Sequence, residues 1–149
     1  MATNYEIGFQ SAAAAAGAAY FAFRAPTRMS KIIEMGLSCN AATASPISLL
    51  RNTAAGYAAS ASSSVGQAQN QAAAAGTSLV DTAWTTLPTV TAASRMRRFM
   101  LPATIGASLI WVWPEGLFVR SATPTDWLVV WNEGASAGSV LNGYVVWGE

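Results

Sequence analysis

Seven carboxylates and one lysine make up the acid–base inventory of this chain: Glu6, Glu34, Asp81, Glu115, Asp126, Glu133 and Glu149, with Lys31. Two carboxylates that meet in space can divide the acid and base roles of a hydrolysis, and separation along the sequence says little about distance across a sheet. Nothing in their sequence context sets any pair apart. The chain has no histidine, which removes Ser-His-Asp and Cys-His catalysis and the commonest zinc sites. There is no phosphate-cradling glycine loop, and the acidic residues lack the spacing of a calcium loop. The expectation is a protein that is not an enzyme and uses no metal or cofactor.

Two further groups suit contacts rather than reactions. Arg95, Arg97 and Arg98 form the basic cluster, and arginine is well fitted to bidentate contacts across an interface. A solvated strand face is the plainer reading; in a chain so poor in charge, an ion pair between subunits is the reading taken. Among six tryptophans, Trp111 and Trp113 share one strand face, and Trp127 and Trp131 share another. Paired indoles can form a platform for sugars or unstacked bases. The alternative is that they are core or subunit-contact residues, since only Asp126, Asn132 and Glu133 supply polar groups close by in sequence.

The elements that must position these residues follow from composition and pattern. With 149 residues, one domain with one core is expected. Apolar residues are 52% and charged residues 10% of the chain, well below the usual charged share of about 25%. A surface with so few charges is poorly protected from association, which implies burial against copies of itself or a partner. The net charge of +1 argues against a general nucleic-acid groove. A single cysteine, Cys39, excludes an internal disulfide.

Residues 11–21, SAAAAAGAAYF, allow a helix, an export signal or neither. The 17 uncharged residues between Glu6 and Arg24 fall short of the ~20 apolar residues of a spanning helix, and no basic segment precedes them. No membrane span or signal is expected. Gly17 argues against a continuous helix, and the run leads into a strand with Tyr20, Phe21 and Phe23.

Alternation then recurs. In 31–39, KIIEMGLSC, the residues Ile33, Met35, Leu37 and Cys39 oppose Glu34, Gly36 and Ser38. Further strands are expected at 46–51 (PISLLR), 94–101 (SRMRRFML), 108–113 (SLIWVW), 126–132 (DWLVVWN) and 139–147 (SVLNGYVVW). The stretch WPEG at 113–116 suits a type I turn, so a hairpin is expected there. Asn142-Gly143 is compatible with a tight turn or with one strand carrying a glycine. Residues 52–80 carry no charge across 29 positions and are nearly all Ala, Ser, Gly, Gln and Asn. This segment is expected to be a long surface loop, either packed on a neighbour or mobile. Short strands punctuated by Pro and Gly describe an all-β sandwich or barrel of about eight strands. Both faces of DWLVVWN and YVVW are apolar, so the second face must be covered within the domain or by another subunit.

The strand KIIEMGLSC, the stretch ISLLRNTAAG, the small-residue loop QAQNQAAAAG, the WTTLPT stretch at 84–89, the WVWPEGLFV hairpin and the terminal YVVWGE together resemble small virion proteins of tailed bacteriophages. The likeness is to the jelly-roll decoration or cement type and runs from about residue 28 onward. It implies an all-β sandwich of jelly-roll type at 26–149, associated as a homotrimer or other cyclic oligomer. It also implies fixation to the major capsid protein on the outer capsid surface of a virion, after synthesis in the host cytoplasm. Residues 1–25 match least. They are read as an extended N-terminal arm and first strand, with Tyr5, Ile7, Phe9, Tyr20, Phe21 and Phe23 as subunit or capsid contacts. Deleting 1–16 is then expected to weaken attachment and leave the strand core folded. A receptor- or carbohydrate-binding domain using Trp111, Trp113, Trp127 and Trp131, and a tail or baseplate component, are the alternatives.

Overall fold

Strand β1, Asn4–Gln10, alternates so that Tyr5, Ile7 and Phe9 are buried while Glu6, Gly8 and Gln10 are exposed. That two-residue period puts one strand face in a core and the other in solvent. The computed structural model describes residues 3–63, 66–70 and 73–149. Ten further strands are found among the described residues: β2 (Ala19–Arg24), β3 (Ser30–Cys39), β4 (Ser45–Arg51), β5 (Ala58–Ser63), β6 (Gln67–Ala68), β7 (Leu79–Thr86), β8 (Arg95–Leu101), β9 (Ser108–Val119), β10 (Leu128–Asn132) and β11 (Leu141–Gly148). No helix among the described residues is long and apolar enough to cross a membrane.

The strands form two antiparallel sheets, ordered β6-β1-β11-β3-β9 and β5-β7-β2-β10-β4-β8, an all-β sandwich. Pairing is nested: β1 with β11, β2 with β10, β3 with β9 and β4 with β8. Between the sheets lies one core that includes Tyr5, Phe9, Phe21, Phe23, Met35, Leu49, Val130 and Trp147. Trp147 is its anchor, stacked on Tyr5 at 5.8 Å and edge-on to Phe23 at 5.3 Å between ring centroids. Each large side chain fully buried in this way contributes about 1.5–3 kcal/mol.

Several expectations need correction. Residues 4–10 do not extend as an arm: they lie in the sheet between β6 and β11, and Tyr5, Ile7 and Phe9 belong to the chain's own core, as do Tyr20, Phe21 and Phe23. Apolar side chains at period two are best buried by the nearest complementary face, here the inner sheet surface. The alanine run, by contrast, leads as expected into a strand, β2 from Ala19, and residues 11–18 before it form no helix. It crosses from one sheet to the other, turns at Gly17 with φ +61°, and offers the Ala14 and Ala15 carbonyls to the Asn132 amide at 3.0 Å each.

The WPEG stretch does not reverse the chain. Leu117 pairs with Ile32 and Val112 with Glu34, so residues 113–116 bulge out opposite Ile33 and both halves of β9 run along β3. Gly116, at φ +72°, supplies the left-handed residue, and the Lys31 stem lies where its side chain would be. The same irregularity puts Ile32 rather than Ile33 in the core beside Met35, Leu37 and Cys39. Asn142-Gly143 sits inside the single strand β11. A side chain at 143 would meet Phe9 at 2.7 Å and Leu37 at 2.9 Å, so the glycine makes room for two core residues.

The count of about eight strands is raised by β5, β6 and β7, which come from or begin in the 52–80 segment. It is not one long loop, although Ser64, Val65, Gln71 and Ala72 of it lie outside the described residues. Small residues are required where it crosses Trp147: a Cβ at Gly66 would sit 2.3 Å from that ring, and one at Gly76 would sit 2.9 Å from Tyr5.

Candidate interaction surface

The two flanks of the sandwich are built from different residues. On one flank β5 and β7 extend the six-stranded sheet and β6 extends the five-stranded one, so the 58–86 segment crosses from sheet to sheet and back. It is fastened by Glu149, whose carboxylate accepts hydrogen bonds from the Thr77 and Ser78 backbone N–H groups at 3.1 and 2.8 Å. The Thr77 hydroxyl at 2.9 Å and Trp147 Nε1 at 3.0 Å donate to it as well. Burial works against ionisation of Glu149, but the donors from Thr77, Trp147 and Ser78 outweigh it and hold its carboxyl below the ordinary value of 4.5.

A second tie lies under the same segment. Asp81 on β7 is fully buried and is paired with Arg24 Nε at 2.7 Å. It also accepts from the Tyr57 hydroxyl at 2.5 Å and from Ser62. Burial, and then the Asp81 carboxylate beside it, pushes the Tyr57 hydroxyl above its ordinary range. With both oxygens engaged by protein donors, Asp81 acts as a cross-link between β2, β5 and β7 rather than as a base. The sequence carried one sign of it: Asp81 is the only charge between Arg51 and Arg95. An isolated carboxylate in an apolar strand calls for a buried partner.

The outer face of β2 and β10 is also covered from within the chain. Ala19, Ala22 and Val129 are packed under Tyr57, Trp84, Val90 and Trp131. The segments that carry Tyr57 and Val90 are joined by Thr53 N–H to the Thr89 carbonyl at 2.7 Å and by Thr89 N–H to Asn52 Oδ1 at 3.0 Å. This accounts for the second apolar face of DWLVVWN.

The opposite flank is different. β8 and β9 each end their sheet, with one side unpaired. Met96, Phe99 and Met100 are exposed on β8, and Ile110, Val112 and Phe118 on β9; Met100 and Ile110 are 56% and 60% exposed. Ile105, in the connection between the two strands, is 68% exposed. Unpaired, apolar strand edges are templates for association unless something covers them. Among the described residues no segment of this chain covers them.

The arginine cluster lies on this flank, and much of its charge is already answered within the chain. Arg95 Nε donates to Glu133 Oε1 at 2.7 Å and Arg98 Nε is 3.0 Å from Glu133 Oε2. Arg97 lies over the Trp113 ring at 4.5 Å and bonds the Val112 carbonyl at 3.3 Å, bridging the two sheets where they part. Three arginines against one glutamate leave this edge basic.

The four tryptophans do not form a platform. Trp111 and Trp113 are on the five-stranded sheet and Trp127 and Trp131 beside or on the six-stranded one. Trp111 is buried and meets Trp113 at 62°. Trp127 is edge-on to Tyr57 at 5.2 Å, and Trp131 packs on the Ala19–Ala22–Val129 cluster. A flat stacking surface needs exposed coplanar rings, and these indoles are spent on packing. Asp126 is engaged by Arg120, whose hydrogen bond holds its carboxyl below the ordinary value. Among the described residues no three metal-ligating side chains are grouped. Comparison with protein-family models, curated proteins and solved structures finds no match for the chain.

Proposed function

We propose that this is a structural protein that works by association: a jelly-roll sandwich of the bacteriophage capsid-decoration type. Its open β8–β9 flank docks on copies of itself, as a trimer, and on the major capsid protein at the outer capsid surface. The observation that carries this reading is that seven large apolar side chains are exposed on and between two unpaired edge strands. Burying each contributes about 1.5–3 kcal/mol, enough in sum to hold a specific interface after the cost of association.

Topology supports the jelly-roll part. With β5, β6 and β7 set aside as an insertion, the order β1-β11-β3-β9 faces β2-β10-β4-β8, the rolled-up hairpin of that architecture. The mechanism is mechanical. Each copy bridges neighbouring capsid subunits, and many small contributions add to resist pressure from a packaged genome. The arginines of β8 give the interface direction and specificity.

The test is cosedimentation of the purified chain with empty tailed-phage heads stripped of their own decoration. Saturable binding at a fixed ratio, lost in the double variant Phe99→Asp, Met100→Asp, is the expected result. Absence of binding to any head removes the capsid assignment.

A further inference from the structure

The outer face of the five-stranded sheet has no cover among the described residues, and its register sorts side chains into rows. Across β1, β11, β3 and β9, one row reads Glu6, Val146, Glu34, Val112. The next reads Gly8, Tyr144, Gly36, Ile110, and the third reads Gln10, Asn142, Ser38, Ser108. An aromatic ring between two glycines is thus flanked by carboxylates on one side and by amides and hydroxyls on the other.

The glycines shape this face. A Cβ at Gly36 would lie 2.2 Å from Tyr144 Cε1, so the ring leans over that position, and its hydroxyl donates to Glu34. At Gly8 a Cβ would meet nothing closer than the Gly143 carbonyl at 4.0 Å, so the lane beside the ring stays open. The hydrogen bond to Glu34, with burial and the negative charge nearby, pushes the Tyr144 hydroxyl up to about 12. It therefore remains a protonated donor, fixed in direction. A groove of about 330 Å³ runs here, lined by Gly36, Ser38, Ser108, Ile110, Asn142 and Tyr144 among others. Gln10 Nε2 donates to Asn142 Oδ1 at 2.8 Å, which orients that amide and leaves the Asn142 N–H₂ to serve a ligand.

We propose that this groove binds a neutral carbohydrate, with a hexopyranose against the Tyr144 ring and its hydroxyls along Asn142, Ser38 and Ser108. The apolar C–H face of a pyranose suits an aromatic surface, and its hydroxyls both donate and accept, as this row does. A site that joins an apolar surface to a few convergent polar groups is the usual composition of a small-ligand pocket. Glu6 and Glu34 accept from sugar hydroxyls but repel carboxylated or sulfated sugars, so charge selects the neutral class. Ile110 belongs both to this groove and to the open flank, so the site requires that association leave the groove uncovered.

The test is isothermal titration of the full chain, in its own oligomeric state, with maltohexaose, cellohexaose and chitohexaose, and with 3′-sialyllactose as the charged control. At least one neutral oligosaccharide is expected to bind with Kd between about 10 µM and about 1 mM, and sialyllactose is not. Tyr144→Ala weakens that binding at least about tenfold and Asn142→Ala about three- to tenfold, whereas Tyr144→Phe and Trp127→Ala stay within about threefold. Melting curves on each variant separate lost binding from lost folding. Failure of all three neutral sugars to bind at about 10 mM overturns the proposal. So does wild-type affinity in both Tyr144→Ala and Asn142→Ala.

Discussion

The flank closed by β5–β7 and the flank left open at β8–β9 solve the same problem in opposite ways. Both end in edge strands, which invite pairing with other chains. The closed flank ends in β5, AASASS, and the two-residue β6, with small or polar side chains and a fastening at Glu149 and Asp81. The open flank ends in RMRRFML and SLIWVWPEGLFV, with bulky apolar side chains in solvent. The low-complexity segment is therefore the chain's own edge cover. Among the described residues the β8–β9 flank has no equivalent cover, and on the proposal above it is the side on which a partner docks. On this account the closed flank governs folding and the open flank governs association, and the two are separable by substitution.

The largest effect is expected from deleting residues 1–16, which removes β1 with Tyr5, Ile7 and Phe9 from the core. At about 2–5 kcal/mol for each large core side chain, the loss reaches the whole stability of an ordinary domain, about 5–15 kcal/mol. Circular dichroism is expected to show no cooperative unfolding transition. A folded truncation would return these residues to the role of an arm. Next, Trp147→Ala is expected to cost about 3–5 kcal/mol in urea unfolding, because Tyr5, Phe23, Gly66 and Gly76 all pack on that ring.

Glu149→Gln is a smaller change, about 1 kcal/mol, since the amide keeps one acceptor but loses charge-assisted bonds. Its pH dependence has a definite sign. The folded carboxyl lies below its ordinary value of 4.5, so its contribution is complete above that pH and is lost as pH falls through the folded value. The difference between wild type and Glu149→Gln is therefore expected to shrink on acidification; a gap that widens in acid would remove the fastening role. The smallest effect on stability belongs to the open flank. Measured on the dissociated chain, Met100→Glu and Ile110→Asp are expected to shift unfolding by no more than about 0.5 kcal/mol, because both side chains are more than half exposed there.

Much of the sandwich was legible from period-two alternation, which located β3, β4, β8, β10 and β11 closely. What alternation could not show was register. The bulge opposite Ile33 turned an expected hairpin into a continuous β9, because both halves found the same partner strand. Tyr5, Ile7 and Phe9 alternate as clearly as any core strand, yet the poor match of residues 1–25 to the resembled family suggested an arm. The 52–80 segment hid its strands because alanine and serine carry little periodic signal. Its glycines become informative only once the Trp147 and Tyr5 rings are placed against them. Among candidate site residues, the arginines lie on an edge strand, where Arg95 and Arg98 pair with Glu133 of the same chain rather than with a second subunit. The tryptophans were taken up by packing, a result decided by which sheet each strand joins. Tyr144 gave no sequence signal, because its surroundings come from four strands distant in the chain.

The most direct test is the solution mass of the full chain by light scattering, measured beside the double variant Phe99→Asp, Met100→Asp. The account predicts a wild-type mass of about three times 15.5 kDa and a folded variant at the monomer mass. A wild-type chain that is monomeric across the concentration range would contradict it, as would a variant that assembles unchanged.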